Sequence, residues 1–184
     1  MPRPKPIINF VNVVATGDMG QTVDLLEIVR KFEGSQYEPE RFPGLVFRLK
    51  KPKTATLIFH SGRMVCTGSK SAEMASEAIN LVVNQLRKKG IKILKDPTVQ
   101  VQNIVSSIDL GSKIILKEVA MHMPRIMYEP EQFPAAILRV LDPKVVFLIF
   151  STGRLVCTGG KKEEDIYKAV KNLQKTLEEK GWFY

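Results

Sequence analysis

The sequence predicts an α+β protein built from two copies of one unit, with helices on one face of an antiparallel sheet. The first observation is a repeat: YEPERFP at 37–43 returns as YEPEQFP at 128–134, an offset of 91 residues. At that offset, 18 of 32 positions are identical between 37–68 and 128–159. The second is a set of short β-rich runs separated by turn residues, and the third is one long amphipathic helical stripe in each copy. Two copies are too few for a solenoid, so a pseudo-two-fold pair is expected.

The elements follow the same order in each copy. A strand-like stretch (8–14 and 99–105) precedes a short helix with apolar residues at helical spacing, from Leu25 to Phe32 and from Leu116 to Met123. A proline-containing loop (38–44 and 129–135) leads into three β-rich runs, near 45–50, 55–60 and 63–67 in the first copy. A long helix closes each copy. We therefore predict a first repeat at residues 1–94 and a second at 95–184. The buried helical stripes are Ala75, Ile79, Val82 and Leu86, then Ile166, Val170, Leu173 and Leu177.

Composition narrows the class of protein. Apolar residues make up 44% and charged residues 26% of the 184, which is typical of a globular chain. No apolar run approaches a membrane span, and the N-terminus lacks the apolar core of a signal peptide, so we expect a cytoplasmic protein without membrane contact. Two cysteines form neither a disulfide framework nor a metal-binding spacing, and we expect no metal or cofactor. The net charge of +9 attracts polyanions, although a general basic bias would give the same value.

The face of the sheet that the helices leave open is predicted to carry the function. Side chains alternate along strands, so Val13, Ile58 and Cys66 should be buried under the helices and their neighbours should face outwards. Cys66 and Cys157 are thus predicted to be core thiols. The outward residues are mostly apolar, and cations surround them. An apolar patch bordered by cations indicates nucleic acid, because apolar groups fit a minor groove while cations bind phosphates. A sheet covered by another domain, or a site for peptides or small apolar ligands, would also explain the apolar part.

Three duplicated motifs give a resemblance to a known family. The YEPExFP loop, the PKxxxLIF strand and the [ST]GRxVCTG hairpin, each present twice and in the same order, resemble the TATA-box-binding protein family of archaeal type. The resemblance implies a saddle with a ten-stranded curved sheet, and four helices on its convex face. It also implies a nucleoid-associated general transcription factor that is not an enzyme. Such a factor binds the TATA box of promoters through the minor groove, bends the double-stranded DNA, and recruits transcription factor B and RNA polymerase.

The resemblance also implies roles for individual residues. Two phenylalanines per repeat wedge into base steps, and their spacing of 17 residues recurs in both copies. An asparagine and a threonine of each repeat donate to A·T base edges, and apolar neighbours exclude the guanine amino group. The wedges are Phe42, Phe59, Phe133 and Phe150. The base-contacting residues are Asn12, Val14, Leu57, Val65, Thr67, Asn103, Val105, Leu148, Val156 and Thr158. The cations expected at phosphates are Arg41, Arg48, Lys53, Arg63, Arg139, Lys144 and Arg154.

The copies differ in ways that bear on partners. Arg41 of the first loop is replaced by Gln132, which leaves Glu129 and Glu131 as the charges of the second loop. The family receives transcription factor B there, so we expect both glutamates to dock it. The chain ends in Lys180-Gly181-Trp182-Phe183-Tyr184 and not in the acidic tail of many archaeal relatives. The apolar face also allows a weak homodimer of the free protein. The alternative reading is a saddle-fold substrate-binding module of a nucleic-acid-processing enzyme, although no catalytic motif supports it.

Overall fold

The computed structural model describes residues 3–184, and that part of the chain contains four helices and nine strands. The first and fifth strands are longer than the sequence pattern indicated, with 12 residues each. In chain order the elements are β1 (Ile7–Asp18), α1 (Leu25–Lys31), β2 (Leu45–Lys50), β3 (Lys53–Ile58), β4 (Arg63–Ser69), α2 (Ala72–Lys88), β5 (Thr98–Asp109), α3 (Leu116–His122), β6 (Ile126–Met127), β7 (Ala135–Leu141), β8 (Lys144–Phe150), β9 (Arg154–Gly160) and α4 (Glu163–Glu179).

The described chain divides into two compact units. One comprises residues 12–102, and the other comprises residues up to 11 together with 103–184. In the first unit the strand order is β2-β3-β4-β1, followed by the beginning of β5. In the second unit the beginning of β1 lies beside β5, and the order continues β9-β8-β7-β6. Neighbours along both meanders are antiparallel. The predicted α+β class is confirmed.

The prediction of ten strands is wrong by one in the described residues. In the second copy, β6 pairs with β7, and the Arg139 N–H donates to the Arg125 carbonyl at 3.0 Å to lengthen the ladder. In the first copy, the corresponding segment forms only a single bridge between Gln36 and Val46. There the Ser35 N–H and hydroxyl both donate to the Phe32 carbonyl, at 3.2 and 2.7 Å. These local bonds compete with the ladder and keep the segment from becoming a strand.

The helices form where the spacing of apolar residues predicted them. All eight residues of the two long-helix stripes are buried, as predicted. Ser71 caps α2, because its hydroxyl accepts from the Met74 N–H at 3.0 Å. Asp24 caps α1 by accepting from the Leu26 and Glu27 N–H groups. The short helices end one residue earlier than the pattern indicated, so Phe32 and Met123 lie in extended conformation as C-caps.

Burial alternates along the strands as predicted. Val13, Ile58 and Cys66 are fully buried, whereas their strand neighbours are half-buried. The buried face of the strands lies on the side where α2 contacts β2, β3 and β4 and α4 contacts β9, and the other face remains partly accessible. No helix among the described residues combines the length and apolar character needed to cross a bilayer.

The C-terminal residues are part of the second unit. Trp182 and Phe183 are buried, and the Ile115 N–H donates to the Trp182 carbonyl at 2.7 Å. The guanidinium of Arg3 lies 4.1 Å from the centroid of the Phe183 ring, within cation–π range. Trp182 and Phe183 therefore belong to the hydrophobic core of this unit.

Candidate nucleic-acid interface

The open face of the 12–102 unit carries a continuous apolar row across its strands. The register places Val46 opposite Leu57, Leu57 opposite Val65, and Val65 opposite Thr16. Directly opposite residues lie on the same face of a sheet. All four are half-buried, so they remain partly accessible. The structure thus brings two predicted base-contacting residues, Leu57 and Val65, side by side.

The second unit repeats this row with the residues at the offset of 91. Ile137 lies opposite Leu148, Leu148 opposite Val156, and Val156 opposite Ser107. Each unit also has a second row that includes a predicted cation. Arg48 lies opposite Ala55 in the first unit, and Arg139 lies opposite Val146 in the second. Several members of these rows were missed in the sequence analysis, although the alternation of side chains along their strands could have revealed them. The missed members are Thr16, Val46, Ala55, Ser107, Ile137 and Val146.

The asparagine of the first unit is held by three hydrogen bonds. Its Nδ2 donates to Thr67 Oγ1 at 3.2 Å, its Oδ1 accepts from the same hydroxyl at 3.3 Å, and its Oδ1 accepts from the Gly68 N–H at 2.9 Å. A backbone N–H can only donate, so the Gly68 contact fixes the orientation of the amide. The Asn12 amino group is therefore presented as a donor on the open face.

The second unit contains the same arrangement. Asn103 Nδ2 donates to Thr158 Oγ1 at 3.2 Å, and the Gly159 N–H donates to Asn103 Oδ1 at 2.7 Å. Gly68 and Gly159 have φ of 98° and 96°, a left-handed conformation that favours glycine. Sequence reasoning missed both glycines, but the repeated Thr-Gly pair was a usable signal.

The four predicted wedge phenylalanines lie in two pairs outside the core. The centroids of Phe42 and Phe59 are 5.9 Å apart, with the rings edge to face. Phe133 and Phe150 have the same arrangement at 6.3 Å. The leading ring of each pair is 42% exposed, which is unusual for a large apolar side chain and leaves it available for contact.

The proline-containing loops before β2 and β7 position these rings. The Glu38 carbonyl accepts from the Arg41 and Phe42 N–H groups at 2.9 and 3.0 Å, which closes a tight turn. Glu129 makes the same turn with Gln132 and Phe133, both at 2.9 Å. The side chains of Glu129 and Glu131 are exposed on this loop.

All seven cations predicted to bind phosphates are exposed. Arg41 is paired with Glu38 at 3.4 Å, but its side chain remains 85% exposed. Arg48 donates to Gln36 Oε1 at 3.0 Å, which directs its guanidinium along the sheet edge. Exposed ion pairs contribute little to stability, so these side chains are available to an anionic ligand.

The two thiols are unsuited to chemistry. Cys66 and Cys157 are fully buried, and burial raises the pKa of both. For Cys157 the pKa rises from 9.0 to about 12, against a smaller lowering by the Ser106 hydroxyl. Both thiols therefore stay protonated at neutral pH. The described residues contain no cluster of three His, Cys, Asp or Glu side chains that would hold a metal ion.

Comparison with known proteins places this geometry in a family. The family model described as transcription factor TFIID, or TATA-binding protein, matches residues 7–89 and 98–180. The chain is 47% identical over 183 residues to TATA-box-binding protein E of Halobacterium salinarum, covering 98% of each chain. It is 47% identical over 176 residues to the TATA-box-binding protein of Archaeoglobus fulgidus, covering 95% of this chain and 96% of that protein.

A solved structure supports the same assignment. The TBP of Methanococcus jannaschii superimposes with a TM-score of 0.86 at 45% identity, covering 94% of this chain and 98% of that one. Members of the family are transcription factors and not enzymes. The family therefore argues against the alternative hypothesis of a substrate-binding module of an enzyme. The chain belongs to the TATA-binding protein family of transcription factors.

Proposed function

We propose that this chain binds the TATA box of promoters through the minor groove, bends the DNA, and recruits transcription factor B and RNA polymerase. The observation that carries the proposal is the duplicated open face. Each unit combines a half-buried apolar row, an exposed pair of phenylalanines, a fixed asparagine donor and surrounding cations. We propose that the repeats at 1–94 and 95–184 each bind one half of the box.

The oriented asparagines supply the base selectivity in this proposal. The A·T minor groove offers only the acceptors adenine N3 and thymine O2, whereas a G·C pair adds the guanine amino donor. Asn12 and Asn103 present donors whose orientation is set by a glycine N–H. The apolar residues beside them leave no acceptor for the guanine amino group. Val14, Leu57 and Val65, with Val105, Leu148 and Val156, form these apolar neighbours.

The phenylalanine pairs supply the bend. An uncharged flat ring can replace the stacking that a base step loses when it opens, at a cost of roughly a few kcal/mol per step. Both rings of each pair enter a base step in this proposal, with Phe42 and Phe133 as the more exposed rings and Phe59 and Phe150 beside them at about the ring separations of stable aromatic pairs. Flexible TA steps open cheaply, which adds selectivity without base contacts.

The decisive experiment compares duplexes across a salt series. A TATA-containing duplex should bind more tightly than one in which G·C pairs replace the box, and its affinity should fall steeply with salt as cations release counterions. Electrophoretic mobility shift at several salt concentrations measures both effects. Equal affinity for the two duplexes would contradict the proposal.

We propose that the second loop docks transcription factor B. Its exposed carboxylates, Glu129 and Glu131, lie where the first repeat has Glu38 and Glu40 beside the cation Arg41. Because Gln132 replaces that cation, the second loop is the more acidic of the two and the less suited to phosphate. A protein partner with a basic surface is the complementary ligand.

Matched double variants test this docking role. Glu129→Ala with Glu131→Ala should leave the affinity for a TATA duplex unchanged and weaken the ternary complex with transcription factor B by about tenfold, corresponding to about 1.4 kcal/mol. Glu38→Ala with Glu40→Ala is the control from the other repeat and should leave both complexes intact. A native gel with labelled DNA reports the binary and ternary species together. An undiminished ternary complex in the first variant would exclude the assignment.

A further inference from the structure

The hairpin tip between β2 and β3 differs sharply in charge from the corresponding tip between β7 and β8. The first hairpin reads KKPK at 50–53, with three lysines. The second reads LDPK at 141–144, with one lysine balanced by Asp142. Both turn through a cis X-Pro bond and have matching registers, so they differ in side chains and not in backbone pairing.

Lys50 extends an existing row of cations, and Lys51 follows it in the turn. Lys50 pairs with Lys53 in the register, so both stand on the same face as Arg48 at the edge of the 12–102 unit. Lys50 and Lys51 are exposed, and the ion pairs found within residues 3–184 involve other side chains. Several cations close together without carboxylates repel one another, and a bound anion relieves that repulsion.

The corresponding edge of the second unit has the opposite character. Leu141 occupies the position of Lys50 and is 63% exposed, and Asp142 next to it carries a negative charge. A phosphate beside this hairpin would meet repulsion from Asp142 and desolvation by Leu141. Lys144 is the only cation of the second hairpin.

We propose that Lys50 and Lys51 form an additional phosphate-binding site at the tip of the first hairpin, so that the two repeats hold DNA with unequal numbers of backbone contacts. The inference rests on the proposed DNA binding and goes beyond it. It makes the complex electrostatically polar, although the base-reading faces of the two repeats are nearly identical. The polarity makes the orientation of the chain on a box sensitive to any difference in backbone charge between the two halves.

Reciprocal transplantation of the hairpin tips tests the extra contacts. Lys50→Leu with Lys51→Asp gives the first repeat the hairpin tip of the second repeat. Leu141→Lys with Asp142→Lys gives the second repeat the hairpin tip of the first. Two phosphate contacts change the slope of log K against log salt by about 1.8. The first variant should become less salt-dependent by that amount, so that a fourfold rise in salt costs it about twelvefold less affinity than the wild type. The second variant should become correspondingly more salt-dependent.

The outcomes separate this inference from the proposed function. If the wild type shows no preference for a TATA duplex, the proposed function fails. If it binds the TATA duplex selectively but neither exchange alters the salt slope, the extra phosphate site is wrong and the proposed function stands. Both variants alter exposed residues only, and far-ultraviolet circular dichroism tests whether they remain folded.

A second measurement tests the polarity directly. A self-complementary A·T box has identical halves, and methylphosphonate linkages in one half and its flank make that half electrically neutral. The 12–102 unit should then occupy the charged half. Both native cysteines are buried, so an iron chelate can be attached selectively to Ser61→Cys, with Thr152→Cys as the matched position in the other repeat. Strand cleavage should fall in the charged half for the first label and in the neutral half for the second. Equal cleavage of both halves would overturn the polarity.

Discussion

The two repeats have nearly the same distances between the groups that face outwards and differ in the groups behind and beside them. The Asn–Thr–Gly hydrogen bonds agree to within 0.2 Å, from 2.9 to 2.7 Å for the glycine N–H contact. The phenylalanine pairs differ by only 0.4 Å, from 5.9 to 6.3 Å. Gly44 of the first repeat is Ala135 in the second, and a Cβ at Gly44 would lie 2.7 Å from Phe42. That methyl group explains the wider second pair.

The interiors show the opposite trend. Behind the first face, Cys66 lies opposite Thr56, whose buried hydroxyl lowers the pKa of the thiol against the larger effect of burial. Behind the second face, Cys157 lies between Phe147 and Ser106, and there the serine hydroxyl acts on the pKa of the thiol in the same way. Each repeat therefore places a buried hydroxyl beside its thiol, but on a different strand. The outward faces of the two repeats are thus more alike than the packing that supports them.

The largest expected effect comes from breaking one phenylalanine pair. Phe42→Ala with Phe59→Ala should remove much of the DNA bend and lower TATA affinity on the order of 100-fold, because no ring then replaces the lost stacking. Phe133→Ala with Phe150→Ala should have a comparable effect, since the pairs have similar geometry. Energy transfer between labelled DNA ends measures the bend.

The affinity of these variants for a G·C duplex should remain close to that of the wild type, because backbone contacts persist. Leu26→Ala is a suitable control, since this exposed leucine lies on α1 and not on the open face. An unchanged bend in either double variant would refute the wedge role of that pair.

The glycines that orient the asparagines should show a smaller and unequal effect. Gly68→Ala and Gly159→Ala both strain a left-handed residue, at about 1–2 kcal/mol of unfolding free energy. A Cβ at Gly68 would also lie 3.2 Å from the Lys53 carbonyl oxygen, whereas one at Gly159 is no closer than 3.7 Å to its neighbours. Gly68→Ala should therefore cost more stability in urea unfolding, and both variants should discriminate less between TATA and G·C duplexes. A greater loss from Gly159→Ala would contradict this reasoning.

The smallest effect is a dependence of stability on alkaline pH. Because burial raises the pKa of Cys157 to about 12, its thiol ionises in the unfolded chain from its ordinary value of 9.0 while it stays protonated in the fold. Stability is thus complete below pH 9 and decreases as pH rises towards 12, by about 1 kcal/mol at pH 10. Cys157→Ala should flatten this decrease, and Cys66→Ala should act in the same direction. Parallel slopes for the wild type and Cys157→Ala in denaturant titrations at pH 8 to 10.5 would show that the thiol is not responsible.

Several features of the candidate site were predictable because they depend on local periodicity. The alternation of outward and buried positions placed Leu57, Val65 and Cys66 correctly, since a strand has a strict period of two. The burial of the two long-helix stripes was equally predictable. The number of strands was not predictable. The segment before β2 forms only a single bridge at Gln36, because Ser35 bonds to the end of α1, whereas the corresponding segment of the second repeat forms β6.

The sequence by itself determined the duplication, the class of fold, the parity of each strand and the family, because these follow from repeated patterns along the chain. The tertiary structure decided which outward residues become neighbours, as in the row through Val46, Leu57 and Val65. It also decided that Gly68 and Gly159 orient the asparagine amides, and that Trp182 and Phe183 are buried. These features depend on contacts between residues far apart in the chain, and such contacts follow from strand register and packing.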